Sequence, residues 1–432
     1  MKVAFTSSVI VVFSWLFYLG CGTSLSQGVY CVRAGATGHG DGSDWDNAYP
    51  SLPPVLVRGA TYYVAGGKYA GRMFETPEQG STVITIKKAT ISDHGPLASR
   101  SGWQNSYGEA QAVFGQLLFK SSHWVFDGVT GAMSEVPTDY GFAINDPEAA
   151  IWIGNEVGTI HADFKFSHIY AKASSNDVEK IFLQSGYQVA HVDNVTVSCC
   201  LLDGWQNGMM SRGQGAGQNG NWVFEQNLAL RGSSTAAHHG EWINANSKPL
   251  SNPVIRYNIF RGKSGTAGLT AIIVANNSPM TGAKVYGNVF DNIQTGNGIL
   301  AGSSVADLSD SVFYNNTLIN CVAVMGWVNG LGGTNNIAYN NLLYSMDAAV
   351  GSGFTHDYNS YFDCTAVPLE LHGQIGTGDP FKDLAHAAYA LKTNTIVGLP
   401  LSSPYDLDIL GVKRTTWTRG AYEFEISVAG GP

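Results

Sequence analysis

Val223-Phe224-Glu225-Gln226-Asn227 is the first of five short apolar or aromatic runs that each close on an asparagine. The others are Val254-Ile255-Arg256-Tyr257-Asn258, Val285-Tyr286-Gly287-Asn288, Val312-Phe313-Tyr314-Asn315-Asn316 and Ile337-Ala338-Tyr339-Asn340-Asn341. Subtracting neighbouring asparagine numbers gives spacings of 31, 30, 28 and 25. A loose period of this size marks a solenoid of stacked supersecondary units. The short strand-like runs make it an all-β chain, a parallel β-helix whose coils stack at about 4.8 Å. Asparagine suits a turn between such strands because its short amide tolerates left-handed backbone and can hydrogen-bond locally. Amides at equivalent turns can also bond to one another along the axis. Cys200, in Val197-Ser198-Cys199-Cys200, lies 27 residues before Asn227 and fits the same rung position.

Working outward, alternating apolar and polar residues in Leu117-Leu118-Phe119 through Trp124-Val125-Phe126-Asp127, and in Ile160-His161-Ala162-Asp163-Phe164-Lys165-Phe166, predict further strands with one buried face. The coils are expected over 113–365, between a capping and entry region at 27–112 and a β-rich end at 366–432. Residues 131–150 and 172–180 read as longer polar excursions, the kind of loop on which binding function sits.

The first 26 residues read as an export signal, with Lys2 ahead of an apolar stretch from Val9 to Leu19 that is too short for a membrane span. Two processing routes are open. Cleavage near Ser24-Leu25-Ser26 would free the chain, whereas Tyr18-Leu19-Gly20-Cys21 resembles a degenerate bacterial lipobox and would place a lipid anchor on Cys21. A secreted or cell-surface protein is expected on either route.

The remaining five cysteines, Cys31, Cys199, Cys200, Cys321 and Cys364, are sparse and odd in number, which argues against a disulfide framework. With 24 basic and 33 acidic residues the formal charge is -9, so the chain as a whole does not attract nucleic acid.

Both ends carry further signals. Gly40-Asp41-Gly42-Ser43-Asp44-Trp45, Tyr62-Tyr63-Val64-Ala65-Gly66-Gly67-Lys68-Tyr69 and the terminal Gly420-Ala421-Tyr422-Glu423 resemble segments of secreted bacterial right-handed β-helix proteins of the pectate-lyase-like fold. That resemblance implies architecture, since the fold carries lyases, hydrolases, epimerases and adhesins. Asp41, Asp44 and Asp46 offer oxygen ligands of the type calcium takes, although their spacing misses the helix-loop-helix signature. Calcium is therefore an open cofactor expectation.

The densest ionisable cluster is His238-His239-Gly240-Glu241-Trp242-Ile243-Asn244-Ala245-Asn246. Strand parity puts Trp242, Asn244 and Asn246 on one face and Ile243 and Ala245 in the core, with Glu241 at the strand entrance, where the register can change and turn it outward. Aligning Gly208 with Gly240 one coil earlier sets Arg212 beside Asn244, and one coil later Thr270 to Asn276 follows. Glu241 with His238 or His239 could move protons, Arg212 could pair a carboxylate or sulfate, and Trp242 could stack on a sugar. Asn244, Asn246, Lys263 and Asn276 complete the candidate substrate contacts.

The segment Glu241 to Ser247 is loosely similar to a coil of the chondroitinase B and alginate lyase family, in which Glu241 would match a calcium-ligand position. Asn246 stands where that family has its catalytic lysine. The expected function is action on, or binding to, an extracellular polysaccharide, with β-elimination preferred. A non-catalytic adhesive or structural solenoid is the alternative. A pectinase-like hydrolase ranks lower, because no second carboxylate flanks Glu241 on the neighbouring strands. His123 with Asp127, and His191 with Asp193, read as paired groups on solvated faces.

Overall fold

A computed structural model describes residues 28–145, 148–173, 179–214, 216–232, 240–263, 272–293, 298–302, 308–322, 333–349 and 354–424. The signal segment, Cys21, His238 and His239 lie outside the described residues. Three parallel sheets run the length of a β-helix, and successive strands of one coil visit them in turn. Val223–Glu225 belongs to the first sheet, Leu228–Gly232 to the second and Glu241–Asn246 to the third. Each pairs in parallel with its equivalent in the next coil: Val223 with Val254, Leu228 with Ile259, Ile243 with Ile273.

Stacking at this spacing puts like residues on like. Phe224, Ile255, Val285, Phe313 and Ala338 form one buried column of the first sheet. Phe260 lies nearly parallel to Phe290 in the second, with ring centroids 5.0 Å apart. A continuous apolar interior is the consequence, and no coil could bury it alone.

The asparagine ladder is real and its amides bond to one another along the axis as expected, but left-handed backbone is not what selects asparagine at these positions. Left-handed backbone belongs to the preceding residue: Gln226, Tyr257, Gly287, Asn315 and Asn340 all have positive φ, and the ladder asparagines do not. Those asparagines point inward and are fully buried. Oδ1 of each accepts from the backbone N–H of the previous rung, as in Asn227 N to Asn258 Oδ1 (2.9 Å) and Asn258 N to Asn288 Oδ1 (3.0 Å). Nδ2 donates to the next amide and to a first-sheet carbonyl, as in Asn288 to Asn316 Oδ1 (3.0 Å) and to Ile255 O (2.8 Å). The side chains thus supply partners for backbone that turns a buried corner and cannot pair there by itself.

Cys200 holds the rung before Asn227, donating its N–H to Asn227 Oδ1 at 2.9 Å. At the other end Asn359 adds a rung, and Glu370 closes the ladder. Its carboxylate, fully enclosed, accepts from Asn359 N (3.0 Å), Asn359 Nδ2 (2.7 Å) and Tyr361 OH (2.6 Å).

Parallel pairing extends further back than residue 113. Val29–Val32 pairs with Thr61–Val64, which pairs with Ile84–Lys88, so the entry region already contributes rungs. It also continues past residue 365, to Gln374–Gly376. Beyond that, Phe381–Asp383 and Ala388–Leu391 form an antiparallel hairpin, tied to the solenoid by Tyr389 OH donating to Asp291 Oδ2 (2.7 Å). The Gly420-to-Glu423 ending has a structural duty. Glu423 accepts the backbone N–H groups of Thr415, Thr416, Trp417 and Thr418, while Arg414 donates to the carbonyls of Thr418 and Gly420. All five described cysteines are free thiols. Among the described residues no helix is long and apolar enough to cross a membrane.

Candidate functional site

Alternation breaks at several places along the third sheet. Phe182 and Leu183, Trp242 and Ile243, and Ile272 and Ile273 are consecutive residues that both join the solenoid interior. Two inward residues in a row return the flanking ones to the outer face, so Glu241 shares that face with Asn244. Asn244 Nδ2 donates to Glu241 Oε2 (3.0 Å) and lies 3.2 Å from Asn207 Oδ1 on the preceding coil. Asn244 Oδ1 is buried and has no hydrogen-bond partner among the described residues. A buried amide oxygen left open on a polar face is a feature usually explained by a missing partner.

Trp242 must be reassigned. It is an interior residue, 1 % exposed, with its ring 6.3 Å from Phe260, and it cannot stack on a sugar. Gly208 makes room for it, since a Cβ there would stand 2.4 Å from Trp242 O and 2.9 Å from a ring carbon. Gly208→Ala should therefore lower stability by about 1–3 kcal/mol through overpacking, read as a shifted denaturant midpoint.

The register also moves by two residues from the Gly208–Gly240 alignment. Met210 pairs with Asn244 and Ser211 with Ala245, which carries Arg212 past Asn244 to the level of Asn246. Asn246 pairs with Asn276, so Arg212, Asn246 and Asn276 mark one edge of the face. Lys263 ends the second-sheet strand Ile259–Lys263 and is not part of this face. Lys248, by contrast, is buried, with Nζ 3.3 Å from Val189 O.

Arg212 is held from three sides. Nη2 is 2.9 Å from Glu179 Oε2, Nη1 is 3.2 Å from Gln184 Oε1, and the guanidinium lies 4.8 Å from the centroid of the Tyr187 ring. Its Nε is buried with no partner among the described residues. Glu179, Gln184 and Tyr187 were not singled out from sequence. The register read from the ladder, carried back one coil through Cys200, would have led to them.

The outer face of the third sheet thus combines an enclosed carboxylate with amides, a positioned guanidinium and a partly exposed tyrosine. Its guanidinium is the group on this face suited to pairing an anion. In the entry loop, Asp41, Asp44 and Asp46 do not converge: they accept from Ser43, Asn47 and Ser101 respectively. No group of three or more metal-ligating His, Cys, Asp or Glu side chains occurs among the described residues.

The minor pairs rearrange. His123 Nδ1 meets Asp163 (2.9 Å) in place of Asp127, and Asp127 meets His168 Nδ1 (2.7 Å). His191 and Asp193 stand 3.4 Å apart as expected.

No family model matches the chain, and no curated protein matches it. Among solved structures it is similar to pectate lyase Pel9A, with 13% identity and a TM-score of 0.47, over 92% of this chain and 97% of that one. The PL6 family alginate lyase AlyGC follows at 12% identity and TM-score 0.40, with 93% of this chain covering 58% of that one. Endopolygalacturonase I from Stereum purpureum matches at 16% identity and TM-score 0.28, over 81% and 90%. At such identities the chemistry has to be read from this chain's own residues.

Proposed function

We propose that this protein acts on or binds an extracellular acidic polysaccharide laid along the outer face of the third sheet, with β-elimination on a uronic-acid polymer as the preferred reaction. The observation that carries the reading is Glu241, Asn244 and Asn207 in one hydrogen-bonded group, with Arg212 stacked on Tyr187 nearby on the same sheet. A uronate carboxylate replaces Glu179 at Arg212, whose planar fork suits bidentate carboxylate binding. Tyr187 takes the sugar-platform role that Trp242 cannot fill. In elimination the C5 proton leaves to a base, the C4–O bond breaks, a C4–C5 double bond forms, and the departing oxygen takes up a proton. Glu241, with His238 or His239 from the segment just before it, supplies the proton-moving groups.

The second reading, a non-catalytic glycan-binding solenoid, is favoured by the full enclosure of Glu241 and by Asn246 standing in the lysine position. Uronic and neutral polysaccharides, incubated with and without calcium and read by unsaturated-product absorbance and reducing ends, separate the two. The expected result is unsaturated product from a uronic polymer, lowered about 100-fold in Glu241→Gln. Absence of product from every polymer overturns the lyase reading. Retention on an immobilised polyuronate that Arg212→Ala weakens about 10-fold would then select the binding one.

A further inference from the structure

The outer column of the third sheet continues toward the N-terminus beyond the residues that hold Arg212. Met210 pairs with Asn244 on one side and with Gln184 on the other, and Gln184 pairs with Trp152 on the coil before it. Gln184 is the residue that meets Arg212 Nη1, so Trp152 stands one coil past the guanidinium's partner and three coils, about 14 Å, from Asn244. Strict alternation holds in this strand. Ile151 and Ile153 are fully buried in the interior, and Trp152 between them faces outward and is partly exposed.

This indole differs from those inside the solenoid. Trp124, Trp205 and Trp222 are buried, and Nε1 of each donates to a backbone carbonyl, at 2.9 Å to Ser121, 3.0 Å to Ala171 and 2.9 Å to Val192. Trp152 inverts the arrangement: its Nε1 is buried, with no partner among the described residues, while the residue as a whole remains partly exposed. The part of the ring that reaches solvent is therefore hydrocarbon. The nitrogen edge lies against the backbone of Gly186, the residue before Tyr187, where a Cβ would come within 2.9 Å of Nε1. Packing against the cluster of Ala149, Ile181 and Met210 holds the ring in place. Past Trp152 the column runs on to Leu118 and Met73, which offer neither a ring nor a hydrogen-bonding group.

A fixed aromatic carbon surface beside a guanidinium suits the C–H face of a pyranose ring, with the few polar groups that orient the chain lying further along. We propose that Trp152 is a sugar-binding platform at the N-terminal end of the third-sheet face, which then takes an acidic oligosaccharide of about four units, one for each coil from Asn244 to Trp152. The count follows because a pyranose advances its chain by roughly one interstrand spacing. This proposal rests on the reading of the face as a polyuronate site and sets the length of chain it engages.

The test is titration calorimetry of the full chain with oligogalacturonates and oligomannuronates, from dimer to hexamer, with the denaturant midpoint of each variant measured alongside. In the unaltered protein affinity should climb until the oligomer reaches about four units and then level off. Trp152→Ala should weaken the longer oligomers about 10-fold and leave the dimer within a factor of about two. Trp152→Leu still fills the cluster with Ile181 and Met210, so it separates packing from stacking: it should lose affinity for long oligomers as alanine does, and Trp152→Phe should keep most of it. Arg212→Ala should weaken every length. Oligomers that bind and respond to Arg212→Ala, but whose length dependence Trp152→Leu leaves unchanged, would overturn the platform and leave the polyuronate reading standing. No binding by either series at any length would overturn both.

Discussion

Trp242→Ala is expected to destabilise the protein by about 3–5 kcal/mol, seen as a large fall in the denaturant midpoint, while the protein that remains folded keeps its glycan retention. The indole fills the interior beside Phe260, and Gly208 and Gly232 leave space for it; a Cβ on Gly232 would come within 2.9 Å of Trp242 Nε1. Truncation opens a cavity that two glycine backbones cannot collapse to fill. Lost retention with unchanged stability would instead put the indole on the ligand-binding face. Tyr187→Ala should show the converse pattern, since Tyr187 is 39% exposed and its ring packs on Arg212.

Asn288→Ala should cost roughly 2–5 kcal/mol, because it leaves the buried N–H and Nδ2 of Asn258 without their acceptor. Asn288→Gly sharpens the test. If the ladder existed to supply left-handed backbone, glycine would be tolerated there. Asn288 is not left-handed, whereas its neighbour Gly287 has φ of 64°, so glycine at 288 should be at least as damaging as alanine. Thermal or chemical denaturation of the two variants decides between these causes. Glu370→Gln belongs to the same test at the ladder's end, where a carboxylate collects Asn359 N and Nδ2, Tyr361 OH and His356 Nδ1.

The period of the ladder made the architecture legible, because a repeat that needs a buried amide at one corner announces itself as asparagine after an apolar run. Asn359 escaped notice because the last coil shortens the spacing to 18. The axial amide bonds were legible, whereas the left-handed backbone was placed one position too late: left-handed turns also favour asparagine, and Asn315 and Asn340 sit directly before ladder residues. Within the candidate site, Arg212 and Glu241 could be placed on neighbouring coils of one sheet. Trp242 could not be placed correctly, since strict alternation puts it outside and the strand takes two inward residues in succession at 242 and 243. The two-residue slip in the Arg212 register kept the same parity, so no hydrophobic mismatch exposed it. His168 and Asp127 stayed unlinked for a different reason: they are 41 residues apart and meet only through the stacking of coils.

Hydrogen–deuterium exchange with and without a uronic-acid oligosaccharide tests the third-sheet face most directly. New protection is expected in peptides covering 179–187, 207–212 and 241–246, and Arg212→Ala should reduce it. Protection confined to the Glu225, Arg256 and Pro404 cleft or to the entry loop, with those three segments unchanged, would contradict the assignment of the ligand to this face.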